Sequence, residues 1–69
     1  METILGKRLR ELRQERGLTQ TEAAAALGLN SVTYLQYEKD QREPPLAVLV
    51  AMAKFYNTTT DYLLGLSDY

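Results

Sequence analysis

The chain has 69 residues, no cysteine, no histidine and a net charge of −1. That length specifies a single domain, residues 1–69, with a small core burying about 60% of the unfolded surface; without cysteine or histidine it has no disulfide, no zinc staple and no common general base. No apolar run approaches the ~20 residues needed to span a bilayer, and Lys7, Arg8, Arg10 and Glu11 interrupt any signal-peptide core, so a cytoplasmic protein with no membrane partner is expected.

The first helix is predicted over about 3–15. Leu5, Leu9 and Leu12 fall at i, i+4 and i+7 as one apolar stripe. Arginines and glutamates take the rest of its surface, and Gly17 supplies the left-handed residue that ends it. Lys7, Arg8, Arg10 and Arg16 read as a solvated face. The first sixteen residues hold most of the cations, and none occurs from Leu18 to Glu38.

The second helix is predicted over 20–27. Thr19 with Glu22 three residues on is a capping box, which satisfies two orphan amides reciprocally. The alanines at 23–26 are strong helix formers of little bulk, so another helix can approach closely. Gly28 closes the helix and Asn30 caps the next, leaving a turn so short that it fixes the angle between the two.

The third helix, about 31–39, divides at 100° per residue. Tyr34 and Tyr37 fall on one side and belong to the core. Ser31, Val32, Leu35 and Gln36 fall roughly opposite and face outward. Residues 40–43 form a polar loop, and Pro44 and Pro45 stop any continuation, with Pro45 suited to the first position of a fourth helix over 45–56. That helix presents Leu46, Leu49, Val50, Met52 and Ala53 at mostly helical spacing, and Asn57 is its left-handed cap. A short fifth helix over 60–64 starts at Thr59 or Thr60 and ends at Gly65, leaving a loose tail from Leu66 to Tyr69.

Two short helices joined by a tight glycine turn make a helix-turn-helix, a unit that holds its second helix where it can enter a DNA major groove. The pattern Gly17-Leu-Thr-Gln-x-Glu-x-Ala-x-x-Leu-Gly28, then Tyr37-Glu38, Arg42-Glu-Pro44 and Asp61-Tyr-Leu-Leu-Gly65, resembles the Cro/repressor (Xre-type) helix-turn-helix family over about residues 4–66. The resemblance implies an all-α, compact five-helix domain of the lambda-repressor-like type. It places Gln20, Thr19 and Asn30 at phosphate-facing positions, and Ser31, Val32 and Gln36 where base edges are read, with Leu35 beside them. It implies a partly buried ion pair between Arg13 and Glu38, which would orient the third helix and hold Arg13 near a phosphate. The chain departs from the usual pattern at Ala23, more often Leu, and at Tyr34, more often Ile or Val. A small-for-large change facing a large-for-small one conserves core volume.

The function expected is sequence-specific binding of double-stranded DNA by a small transcriptional regulator, a repressor acting as a homodimer. Gln36 suits adenine, and Val32 and Leu35 suit the thymine methyl. Lys39 and Arg42 are the cations nearest the third helix and are expected on phosphates. Leu63, Leu64, Leu66 and Tyr69 are the dimer candidates. Val32 and Leu35 are also compatible with a patch that binds a protein, and the lack of any cation from Leu18 to Glu38 suits such an antitoxin-like or anti-repressor-like module. Without a glycine-rich phosphate loop or a carboxylate cluster at ligand spacing, no catalytic residue, metal, cofactor or small-molecule effector is expected.

Overall fold

A computed structural model describes residues 4–69. The helices are α1 (Leu5–Glu15), α2 (Gln20–Ala26), α3 (Ser31–Glu38), α4 (Leu46–Phe55) and α5 (Thr60–Leu64), with no strand among the described residues. The domain is all-α, as the pattern predicts. The start expected at Thr3 lies outside the described residues.

α1 to α4 end by one device. A residue with positive φ follows the cap, and the next amide turns back five residues to a carbonyl in the last turn. Gly17 and Gly28 have φ of +67° and +70°, and the Leu18 and Leu29 amides donate to the Arg13 and Ala24 carbonyls at 3.2 and 2.8 Å. Asn57 does the same after α4 with φ of +54°, as its sequence position predicts. After α3 the residue is Asp40, with φ of +55°, and the Gln41 amide donates to the Gln36 carbonyl at 2.9 Å. What reads as the start of a polar loop is therefore a helix-ending turn.

The starts are capped as the polar residues dictate. Thr19 Oγ1 accepts the Glu22 amide at 3.1 Å and Glu22 Oε1 accepts the Thr19 amide at 2.9 Å, a complete capping box worth about 1 kcal/mol. Asn30 Oδ1 accepts the Val32 amide at 2.8 Å, and Thr59 Oγ1 accepts the Tyr62 amide at 3.0 Å. Pro45 is the N-cap of α4, with φ −59° and ψ 157°, rather than its first helical residue; its extended ψ keeps it outside the helix.

α1 has no cap of its own, since Ile4 offers no side-chain acceptor. Asp40 supplies one from 34 residues away, its Oδ1 accepting the Gly6 amide at 3.2 Å. A Cβ on Gly6 would lie 2.2 Å from the Glu38 carbonyl oxygen, so only glycine lets the first turn of α1 sit on the end of α3.

The core gathers Leu5 and Leu9 from α1, Ala23 and Ala24 from α2, Tyr34 and Tyr37 from α3, Leu49, Met52 and Ala53 from α4, Tyr56 behind it, and Leu63 from α5. α2 packs on α3, α1 packs on both α3 and α5, and α4 packs on α5. Two leucine-stripe expectations need correction: Leu46 is 81% exposed and Val50 43%. Leu49, Met52, Ala53 and Tyr56 already complete the buried side of that helix, and the turn carries Leu46 and Val50 past its edge. Of the solvated face expected on the first helix, Lys7, Arg10 and Arg16 are exposed and Arg8 is half-buried, but Arg8 and Arg16 also make contacts. The Arg8 guanidinium bonds to the carbonyls of Tyr62 and Ser67 and stacks on the Tyr62 ring at 4.0 Å, while Arg16 lies over the rings of Phe55 and Tyr56 at 5.3 and 5.8 Å. Both stitch α1 to the C-terminal half.

Candidate nucleic-acid interface

α3 is held from behind by charge and by hydroxyls. Arg13 Nε donates to Glu38 Oε2 at 2.7 Å and its terminal nitrogens to Glu38 Oε1 and the Leu18 carbonyl at 3.2 and 2.8 Å. The carboxylate is almost wholly buried and the guanidinium nearly so. Pairing with Glu38 raises the Arg13 pKa further above its ordinary value, so the guanidinium stays charged. Arg13 thus meets α3 through its last residue, Glu38, as the expected ion pair would have it.

The other anchors are the tyrosines. Both are buried, as the helical register requires, and the Tyr34 hydroxyl meets that of Tyr56 at 2.5 Å. Burial, then the bond to Tyr56, pushes the Tyr34 phenol far above the ordinary tyrosine range; burial likewise raises Tyr56. Both hydroxyls therefore remain protonated donors in the folded protein.

With its back so fixed, α3 shows solvent the opposite face. Ser31 is exposed, Val32 is 61% exposed, and Leu35 and Gln36 are half-buried. Lys39, the cap of α3, falls on the same side at 100° per residue and is exposed, as is Arg42 beyond it. The start of α2 comes against the end of α3. Gln20 Nε2 donates to Glu38 Oε1 at 3.3 Å and keeps a second N–H to offer. Thr19 and Asn30 use an oxygen each as caps, which leaves the hydroxyl proton of one and the amide nitrogen of the other as donors. The exposed side of α3 thus carries apolar contact at Val32 and Leu35, an amide and a hydroxyl at Gln36 and Ser31, and a cation at Lys39. Such a face can meet base edges and phosphates.

Of the C-terminal candidates, Leu66 is 75% and Tyr69 91% exposed, and Leu64 is half-buried. Leu63 is fully buried in the core and is withdrawn from the expected dimer surface. Among the described residues no helix is long and apolar enough to cross a membrane.

A family model described as helix-turn-helix matches residues 9–63. The chain is 48% identical over 61 residues to the HTH-type transcriptional regulator ImmR of Bacillus subtilis (strain 168), covering 88% of this chain and 48% of that protein. It is 37% identical over 65 residues to the cryptic phage CTXphi transcriptional repressor RstR of Vibrio cholerae, covering 94% of this chain and 59% of the repressor. The P22 c2 repressor, in a crystal structure with a synthetic operator, superposes with a TM-score of 0.85 at 28% identity, over 91% of this chain and 96% of that one. The chain spans about half the length of the curated relatives it matches.

Proposed function

The chain belongs to the Cro/repressor-type helix-turn-helix family, matched over residues 9–63, and from that premise we propose that it is a transcriptional regulator of repressor type that binds double-stranded DNA sequence-specifically in the major groove. The observation that carries this reading is the division of α3. Tyr34 and Tyr37 are buried while Ser31 and Val32 are exposed on the other side. Relatives that are named regulators and repressors, and a likeness to a repressor solved with its operator, support it.

In this reading Gln36 pairs with adenine, Val32 and Leu35 meet thymine methyls, and Ser31 bonds to a neighbouring base edge. Gln20, Thr19, Asn30, Lys39 and Arg42 hold the backbone. A helix of 8 residues reads only a few base pairs, so specificity comes from a homodimer on half-sites about one helical turn apart, ~34 Å. Leu66 and Tyr69, with Leu64 beneath, form the contact between copies. The protein works in the cytoplasm, without catalysis or cofactor.

Selection of bound sites from a random DNA library tests this. The expected product is a palindrome of A·T-containing half-sites; recovery of no enriched sequence refutes it. The absence of a cation from α3 also favours a second reading, a protein-binding module on the same scaffold. Salt separates the two, since DNA affinity falls linearly with salt on logarithmic axes, whereas the second reading requires no DNA response.

A further inference from the structure

The Tyr34–Tyr56 hydroxyl contact joins α3 to the cap of α4, and nothing in the proposed DNA contacts uses it. The other anchors of α3 act at its ends. Asn30 and the Gly28 turn fix its start, and the Arg13–Glu38 pair and the Asp40 turn fix its finish. Tyr34 acts at the middle, between Val32 and Gln36, and points its phenol away from them into the core. Between those ends the freedom left to the helix is a small rotation about its own axis, which buried Tyr37 and the Arg13–Glu38 pair restrain only from the last turn. That rotation decides which side chains face a groove. A phenol is a long lever, so fixing its tip fixes the rotation.

We infer that Tyr34 and Tyr56 are positioning residues whose shared hydrogen bond sets the rotation of α3 and so the discrimination between bases. The inference rests on the DNA-binding reading above. An isoleucine or valine at position 34, the usual residue in proteins this chain resembles, has neither the reach nor the hydroxyl to make this contact. Ala23, fully buried on the helix packed against α3, is the small residue that leaves room for the larger ring. A phenylalanine at either position keeps the ring and the volume but frees the tip.

The test uses Tyr34→Phe, Tyr56→Phe and the double variant, with affinity measured on the selected site, on random-sequence DNA, and on sites with thymine replaced by uracil. For each single variant the ratio of specific to random affinity falls by a factor of about 3 to 10, the range one hydrogen bond commands, while random affinity and the circular dichroism spectrum hold. The double variant falls no further than the worse single one, because both lose the same bond. Unchanged ratios in both folded single variants overturn the inference, even if melting temperatures drop; so do additive losses in the double. If the unaltered protein itself shows no preference for any site, the DNA-binding reading fails first and takes this inference with it. Tyr56→Phe serves where Tyr34→Phe does not fold, since Tyr56 lies outside the reading helix.

Discussion

The Arg13 guanidinium meets the Glu38 carboxylate at 2.7 Å with almost no access to solvent at either side chain, and Gln20 leans on the same carboxylate at 3.3 Å. One buried charge pair therefore ties together α1, the start of α2 and the end of α3. A buried pair of this kind adds little net stability over apolar residues of equal volume, but breaking it is costly.

Arg13→Met leaves Glu38 buried and unpaired, and is expected to destabilise the domain by about 3–5 kcal/mol. Arg13→Met combined with Glu38→Leu is expected to cost much less than Arg13→Met alone. Urea unfolding at neutral pH measures both. Equal losses would mean that the pair contributes through packing rather than charge.

Gly6→Ala tests the seating of α1 on α3. Alanine is the better helix former by about 1 kcal/mol, so propensity alone predicts a gain. The contact with the Glu38 carbonyl, 2.2 Å from the added carbon, reverses the sign. A net loss of at least about 2 kcal/mol is expected by denaturant unfolding; a stabilised variant would show that the α1–α3 approach is wrong.

What the sequence made legible here is local chemistry. Thr19 and Glu22, Gly17, Gly28 and Asn57 each announce a cap through their own backbone preferences, and the tyrosine spacing announces the core side of α3. What stayed hidden depends on residues far apart in the chain. Asp40 ends a helix without being glycine, and its carboxylate serves an amide 34 residues away. Arg8 reaches a carbonyl 54 residues on, which no periodicity reveals. Leu63 reads like Leu64 and Leu66 in the sequence because a five-residue helix offers too few turns to distinguish its sides. The exposed face of α3 was legible as a face from its register, and the Arg13–Glu38 pair from the resemblance; the Leu18 carbonyl as a third partner of Arg13 was not.

Alkaline pH should weaken the fold through the tyrosine pair. Tyr34 and Tyr56 have raised values in the folded protein, while an unfolded chain releases its phenol protons near pH 10. Their contribution is therefore complete below about pH 10 and lost as pH rises beyond it toward the folded values. The urea midpoint is expected to fall from about pH 10 upward, and to fall less steeply once Tyr34→Phe and Tyr56→Phe are combined. Identical slopes would show that these phenols ionise alike in both states.

Salt dependence should be shallow. With Lys39 and Arg42 as the phosphate cations, the logarithmic slope is expected near two per subunit. Lys39→Ala lowers affinity for all sequences alike and reduces the slope by about one. A slope unchanged by Lys39→Ala would remove that residue from the phosphate contacts.

The central claim is that the exposed face of α3 reads bases, with Val32 on a thymine methyl. Affinity of the unaltered protein and of Val32→Ala, measured on the selected site with thymine or uracil at each half-site position, tests it most directly. One methyl taken out of water is worth about fourfold, so the unaltered protein should prefer thymine by about that factor at one position, and Val32→Ala should lose the preference there. Equal affinity for thymine and uracil at every position, or a preference that Val32→Ala retains in full, would contradict the account.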